Sequence, residues 1–293
     1  MPVVPSPGGA RWQRQSRTEG LHDSPLHGRY AQLKEDPLTM LALDVCARLL
    51  CDSKRPVALT GAGMSAESGI PTFRDSDSGM WARWSPETLA SPTGFRDDKA
   101  LVWGWYSWRM ANVANASPNA GHLALAELER LRPDFAIITQ NVDDLHERAG
   151  SQRIAHLHGG LFQHRCFACA RPFKGYEVPA DAISNPSLRV MPPKCTYCGG
   201  YIRPGVVWFG EMIPAGEWKR AEAWIRDSDL VLVVGTSGVV QPAASLVTLA
   251  RRFGVPIILI DPNETEHSQL ADHHLRMAAG IALPALLERL RGI

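Results

Sequence analysis

Four short apolar runs constrain the fold of this 293-residue chain more than any other feature: Pro56 to Thr60, Phe135 to Thr139, Leu230 to Val234 and Ile257 to Ile260. None alternates apolar with polar residues. Such continuous runs belong to strands buried on both faces, as in a parallel sheet. Between them lie segments with helical periodicity: Leu38 to Leu50, with Thr39 as its expected start, Ala120 to Leu131, Glu217 to Ser228 and Ala243 to Phe253. Strand and helix in alternation imply crossover units and therefore an α/β fold with a doubly wound, Rossmann-like parallel sheet. Two segments interrupt the alternation. One, 79–117, is rich in Trp and helical in pattern; the other, 161–204, is rich in Cys. Both read as insertions that together build a smaller lobe, leaving 37–78, 118–160 and 205–293 for the Rossmann-like part.

Each apolar run ends in small or polar residues. Gly61-x-Gly63-x-x-Ala66 follows the first and should open a helix that Pro71 stops almost at once. Glycines at such a turn let backbone amides approach a pyrophosphate. The acidic residue expected about 20 residues further on is missing from its place, because Asp75 and Asp77 fall in a Gly/Ser-rich loop. The ribose must then be read from elsewhere. Thr139-Gln140-Asn141-Val142-Asp143, Val234-Gly235-Thr236-Ser237 and Ile260-Asp261-Pro262-Asn263 are three further polar strand exits. Singly each reads as a helix cap. Together, at the carboxyl ends of parallel strands where ligands bind in open α/β sheets, they point to a nucleotide site.

Cys166 and Cys169, then Cys195 and Cys198, form two Cys-x-x-Cys knuckles separated by 25 residues. Four thiolates close a tetrahedral shell around Zn²⁺, and with no open position the metal should be structural. Redox or disulfide pairs are the weaker alternative. Cys46 and Cys51 fall outside the pattern and read as buried thiols. Metal ligation suits a reducing compartment better than a disulfide scaffold does.

Lys plus Arg total 31 and Asp plus Glu 30, so the charge balance gives no reason to expect a nucleic-acid partner. No apolar run approaches the roughly 20 residues that span a membrane. Residues 1 to about 36 are rich in Pro, Gly, Arg and His without a sustained period. Arg11, Arg14 and Arg17, with no acid before Glu19, resemble a transit peptide, but Pro2, Pro5, Pro7, Gly8 and Gly9 oppose an amphipathic helix. A disordered tail is the expectation, in a cytoplasmic protein, or a mitochondrial one if the chain is eukaryotic.

These motifs taken in order resemble the sirtuins, NAD-dependent protein-lysine deacylases. Gly61-Ala62-Gly63-Met64-Ser65-Ala66-Glu67-Ser68-Gly69-Ile70-Pro71-Thr72-Phe73-Arg74 is similar to the family signature. Thr139-Gln140-Asn141-Val142-Asp143-Asp144-Leu145-His146, His158-Gly159, Val206-Val207-Trp208-Phe209-Gly210-Glu211 and Gly235-Thr236-Ser237 match the further motifs. The resemblance runs from about residue 38 to the C-terminus and leaves out the tail. It implies that His158 is the general base that activates a ribose hydroxyl. Asn141 would hold the ribose and a water, and Asp143 the carboxamide. Phe73 and Arg74 would belong to a loop closing over NAD. Gly61, Ala62, Gly63, Ser65, Gln140, Gly235, Thr236, Ser237, Asp261, Asn263 and Ala279 complete the implied cofactor contacts. Val207, Phe209 and Gly210 would line the acyl-lysine channel and pair with substrate backbone. His146 and His156 read as ordinary core or surface histidines.

Two departures matter. Asp261 stands where most family members carry Asn; a carboxylate still accepts from ribose hydroxyls but disfavours a phosphate, which argues for NAD over NADP. Tyr106 and Arg109, at i and i+3 on one helix face, together with the small Ala90, resemble the class III sirtuins, which remove succinyl, malonyl and glutaryl groups. Arg would hold the distal carboxylate bidentately while Tyr donates one more hydrogen bond. A core Tyr beside a surface Arg is the plainer alternative. The resemblance thus implies a monomeric deacylase of acyl-lysine proteins with one structural zinc, releasing nicotinamide and O-acyl-ADP-ribose. Mono-ADP-ribosyl transfer and an NAD-sensing, zinc-containing interaction module are the competing functions.

Overall fold

The computed structural model describes residues 36–70, 84–179, 182–184 and 187–293. The N-terminal tail, the stop at Pro71 and the cofactor-loop residues Phe73 and Arg74 therefore lie outside the described residues. Helix α1 (Pro37–Asp52) leads into strand β1 (Pro56–Thr60) and the four-residue helix α2 (Gly63–Ala66). Helices α3 (Pro86–Leu89), α4 (Pro92–Asp97), α5 (Lys99–Asn115) and α6 (Ala120–Leu131) follow. Next come β2 (Ala136–Thr139), α7 (Leu145–Ala149), β3 (Ile154–His156), β4 (Gly159–Cys166) and β5 (Ile202–Val206). The chain closes with α8 (Ala215–Asp227), β6 (Leu230–Val234), α9 (Ser245–Arg252), β7 (Ile257–Ile260), β8 (His273–Leu275) and α10 (Ala279–Gly292). Among the described residues no helix is long and apolar enough to cross a membrane.

Six strands form one sheet in the order β3-β2-β1-β6-β7-β8, and every neighbouring pair is parallel. Counted along the chain within this sheet, that is the 3-2-1-4-5-6 order of dinucleotide-binding folds, with its topological switch between β1 and β6. The continuous apolar runs have the expected cause. Ala58, Ile137, Leu232, Val234, Ile258 and Ile260 point into a core shared with α1, α6 and α10. Their sequence neighbours Val57, Leu59, Ile138, Val231, Val233, Ile257 and Leu259 point the other way, onto α8 and α9. Successive strand side chains alternate faces, so a strand covered on both sides must be apolar throughout.

Helix α1 starts before Thr39. Asp36 is its cap, with its carboxylate accepting from the N–H groups of Leu38 and Thr39 at 3.2 Å. Pro37 then occupies the first helical position, where its missing N–H costs nothing. Thr39 instead donates its hydroxyl to Asp36.

A third core joins the two segments that interrupt the alternation. Phe95 of α4, Trp103 and Tyr106 of α5, and Trp208 after β5 are each at most 1% exposed and pack with Leu161, Cys166 and Ile202 of the antiparallel β4–β5 hairpin. Removing so large a ring from a filled core costs roughly 3–5 kcal/mol, so this cluster fixes the small lobe against the edge of the crevice.

Candidate active site

The switch point is built from two strand exits in direct contact. The N–H groups of Gly61 and Gly63 donate to Val234 O at 3.0 Å and Gly235 O at 2.8 Å. A Cβ on Gly63 would lie 2.7 Å from Gly235 Cα, and Gly235 itself has φ +59°. No side chain fits there, which explains the Gly-x-Gly spacing. Those two amides are consumed inside the protein, however. The backbone N–H groups left without a partner among the described residues are those of Ala62, Thr236 and Ser237. Unpaired donors gathered at a strand edge suit an anionic ligand such as a pyrophosphate. Gln140 ties the neighbouring exit to this floor by donating to Thr236 Oγ1 at 2.9 Å.

Behind the floor runs a buried polar chain. Thr60 and Thr139 end their strands opposite one another in register, and the Thr60 hydroxyl donates to Thr139 Oγ1 at 2.9 Å. Thr139 Oγ1 also accepts from the Asn141 N–H at 3.0 Å. His146 Nε2 lies 3.1 Å from Thr60 Oγ1; with the threonine hydroxyl already donated, the imidazole N–H is the donor. Burial, with the neighbouring His122 and His156, pushes the His146 pKa well below 6.5, so this donor stays neutral. Thr60, Thr139 and His146 are therefore positioning residues for Asn141.

Asn141 has its amide orientation fixed by its partners. Ser65 Oγ donates to the Asp143 carboxylate at 3.0 Å. Its oxygen must then accept the contact from Asn141 at 3.0 Å, which makes the contacting atom Nδ2. Asn141 Oδ1 is left to accept from a ribose hydroxyl or a water. Asp143 is 8% exposed and also accepts from Leu145 N–H at 3.1 Å. Burial raises its pKa, opposed by those hydrogen bonds.

His158 sits across the same crevice. Its Nδ1 lies 3.0 Å from the Gln140 carbonyl oxygen, an atom that can only accept. Nδ1 therefore carries the proton, and Nε2 is the basic nitrogen. Burial lowers its pKa below 6.5, with the bond to Gln140 working in the opposite direction, so the ring is neutral near pH 7. Gly159 follows with φ +70°, and a Cβ there would strike Gly205 O at 2.1 Å. This contact holds the β4–β5 hairpin directly beside the His158 ring. The His158 carbonyl in turn accepts from Val207 N–H at 2.8 Å.

The segment Val207 to Gly210 thus begins at His158. Phe209 N–H donates to Ala90 O at 2.9 Å, and Trp208 N–H donates to Glu211 Oε2 at 2.9 Å. With these amides engaged, and Trp208 O accepting from Glu211 N–H at 2.9 Å, an added strand has the Val207 and Phe209 carbonyls and Gly210 to pair with. Phe209 and Gly210 are exposed and Ala90 is buried. Beneath them, Trp208 Nε1–H donates to Tyr106 Oη at 2.9 Å, which leaves the Tyr106 O–H as a donor. Burial pushes that hydroxyl up to about 12, so it stays protonated. The Arg109 guanidinium stacks 4.9 Å from the Trp105 ring and 5.9 Å from the Tyr106 ring, on the shared helix face expected for i, i+3.

The remaining predicted residues lie further along the sheet edge. Asp261 Oδ1 caps Asn263 N–H at 2.9 Å. Ala279, 4% exposed, starts α10, where the next N–H donates to Glu67 Oε2 at 2.6 Å. In the small lobe the ligand sulfurs of Cys166, Cys169, Cys195 and Cys198 all lie within 4.8 Å of one another. Cys166 and Cys198 are 3.5 Å apart, Cys169 and Cys195 3.8 Å. Zn–S bonds of about 2.3 Å in a tetrahedron place sulfurs roughly 3.8 Å apart, while a disulfide needs about 2.05 Å. A Cβ on Gly200 would stand 3.1 Å from Cys166 Sγ. The residues fit a four-thiolate zinc.

A 3-2-1-4-5-6 sheet with a dinucleotide floor, a neutral imidazole and a four-cysteine lobe defines a Rossmann-type class with a metal-knuckle insertion. Residues 61–242 match the Sir2 family, and the chain belongs to it. An NAD-dependent protein deacylase of Mycolicibacterium paratuberculosis is 50% identical over 236 residues, covering 80% of this chain and 98% of that protein. A solved Sir2 homolog–NAD complex is 48% identical with a TM-score of 0.78, covering 85% of this chain and 93% of the other. A mutant Sir2 homologue bound to 2′-O-acetyl ADP ribose is 47% identical, also at 0.78, covering 85% and 96%.

Proposed function

We propose that this chain is an NAD-dependent protein-lysine deacylase that removes acidic acyl groups such as succinyl as well as acetyl. The observation that carries the deacylase reading is the His158 tautomer: a neutral imidazole with Nδ1–H tied to Gln140 and Nε2 left basic. When bound, NAD would supply a ribose carbon that exchanges nicotinamide for the acyl oxygen, and one water would free the lysine amine while the acyl group stays on ADP-ribose. His158 Nε2 removes a proton from a ribose hydroxyl. Asn141 Oδ1 orients that ribose or the water beside it. Ala62, Thr236 and Ser237 would offer amides to the phosphates, Asp143 would hold the carboxamide, and Asp261 and Asn263 would hold the adenosine ribose. Val207, Phe209 and Gly210 align the acyl-lysine. The four cysteines would hold zinc in a closed shell that shapes the lobe and takes no part in catalysis.

Incubation with NAD and acetyl- and succinyl-lysine peptides should release nicotinamide, free peptide and O-acyl-ADP-ribose in equal amounts. Labelled protein from labelled NAD, without free O-acyl-ADP-ribose, would instead establish ADP-ribosyl transfer. The base must be neutral, and burial holds its pKa below 6.5. Lowering the pH protonates Nε2, so kcat/KM should fall along an acid limb centred below pH 6.5. An acid limb centred above 6.5 would rule out His158 in this state.

The acidic-acyl reading rests on Tyr106 and Arg109. Tyr106 is 1% exposed in the small-lobe core and Arg109 is half-buried beside it; a carboxylate brought to this pair needs a charged partner, and losing such a partner costs about 2–5 kcal/mol. Arg109→Met should raise KM for succinyl peptides about 30-fold or more while acetyl-peptide kinetics barely change. Tyr106→Phe should act in the same direction more weakly. Equal losses on both substrates would make the pair structural.

A further inference from the structure

The small lobe carries a second concave site that deacylation does not use. A cavity of about 360 Å³ opens between α4 and the β4–β5 hairpin, with Arg96, Arg165, Arg203, Glu211, Phe167 and Cys166 in its wall. Arg165 of β4 lies directly opposite Arg203 of β5. Like charges placed opposite one another destabilise a strand pair, so this hairpin needs negative charge on that face. One carboxylate supplies it. Glu211 takes two contacts from Arg203, one of them 2.9 Å, and lies 3.7 Å from Arg165.

Arg203 is fully committed. It is 3% exposed, donates also to Val206 O at 2.7 Å, and lies 3.4 Å from the centre of the Trp208 ring. Among the described residues the one charged partner of Arg165 is Glu211, at that long distance, and its side chain is 40% exposed. Arg96 lies 5.4 Å from the centre of the Phe167 ring and has no carboxylate partner among the described residues. Three guanidinium groups thus face one carboxylate, and the two less committed ones point to an anion.

The location suggests which anion. Glu211 follows Gly210, so the cavity opens where the segment that would align the acyl-lysine ends. A bound strand advances about 3.3 Å per residue, so a peptide aligned along 207–210 would carry side chains a few positions from its acyl-lysine toward this wall. We infer that the Arg96–Arg165 pocket receives an anionic side chain, a carboxylate or a phosphate ester, of the substrate protein near the acyl-lysine. This inference rests on the deacylase reading above.

The experiment compares acyl-lysine peptides carrying one Glu, one phosphoserine or the neutral Gln at each of the four positions on either side of the acyl-lysine. Wild-type protein should show at least one position where the anion lowers KM about tenfold, as a charge-assisted, partly exposed contact does. The double variant Arg96→Gln/Arg165→Gln should lose that preference and keep the neutral-peptide kinetics, the metal content and the Tm. A panel with no anion preference, or a preference that survives the double variant, overturns the inference. So does loss of metal in the double variant, which would make the arginines counter-charges to the thiolates behind Cys166. If inorganic phosphate alters neutral-peptide turnover through these arginines while no peptide position shows a preference, the pocket serves a free anion and the substrate assignment fails. Absence of turnover on every peptide would instead fault the deacylase reading.

Discussion

Replacing His158 with alanine is expected to cut turnover by about 10²–10⁴-fold, the range for removal of a positioned general base, while NAD binding and the fold persist. The expectation follows from geometry. The ring is held through Nδ1 by a single backbone carbonyl 3.0 Å away, and His158 belongs to none of the three hydrophobic cores. The next residue, Gly159, carries the structural constraint instead, because a Cβ there would collide with Gly205 O. Nicotinamide release and peptide deacylation should be measured with NAD affinity and Tm on the same preparation. Near-normal turnover would remove His158 from the mechanism. Loss of Tm would mean the ring is structural.

Cys195→Ser is expected to lower metal content and thermal stability together. The four sulfurs span one tetrahedron, and the knuckles hold the two ends of the hairpin lobe. Cys195 N–H donates to Gly200 O at 2.7 Å and Cys166 N–H to Arg171 O at 2.9 Å, so each knuckle is a tight turn that a metal locks to its partner. Binding free energy at such a site is folding free energy, of order 10 kcal/mol in small zinc peptides. Within this larger chain the loss should fall mainly on the lobe that contains Trp208 and Ala90, raising KM for the acyl peptide more than for NAD. Chelation should reproduce the effect in the unsubstituted protein. Metal-free protein with an unchanged Tm and unchanged activity would contradict the structural assignment.

The central sheet was legible because its strands are apolar on both faces; β1, β6 and β7 coincide with their sequence runs, and β2 starts one residue late. The edge strands β3 and β8 were not legible. Ile154-Ala155-His156 and His273-His274-Leu275 are three residues long and partly polar, as suits strands with only one neighbour. The β4–β5 hairpin was hidden for another reason: its strands are 35 residues apart and contain Gln163, His164, Arg165 and Arg203. Thr39 looked like a cap because it precedes the apolar period, but Asp36 reaches both amides first. At the site, His158 stood out in the sequence by the glycines that follow it, and the structure sets its ring against the Gln140 exit. The chain from His146 through Thr60 and Thr139 to Asn141 was not, since only the parallel register of β1 and β2 brings the two threonines together. The commitment of the Gly61 and Gly63 amides to the neighbouring strand exit was equally invisible in the motif.

The central position of β1 also sets an order of assembly. Residues 56–60 pair on one side with 136–139 and on the other with 230–234. As the chain leaves a ribosome, one edge of this buried central strand stays unpaired until some 170 residues more have been made. The metal-knuckle hairpin, closed between 159 and 206, emerges whole before that edge is covered. Loop closure over long separations is slow, and open strand edges are where chains associate wrongly. A nascent chain stalled before residue 230 should therefore load metal yet bind chaperones, and both should be seen on the same ribosome-bound fragment.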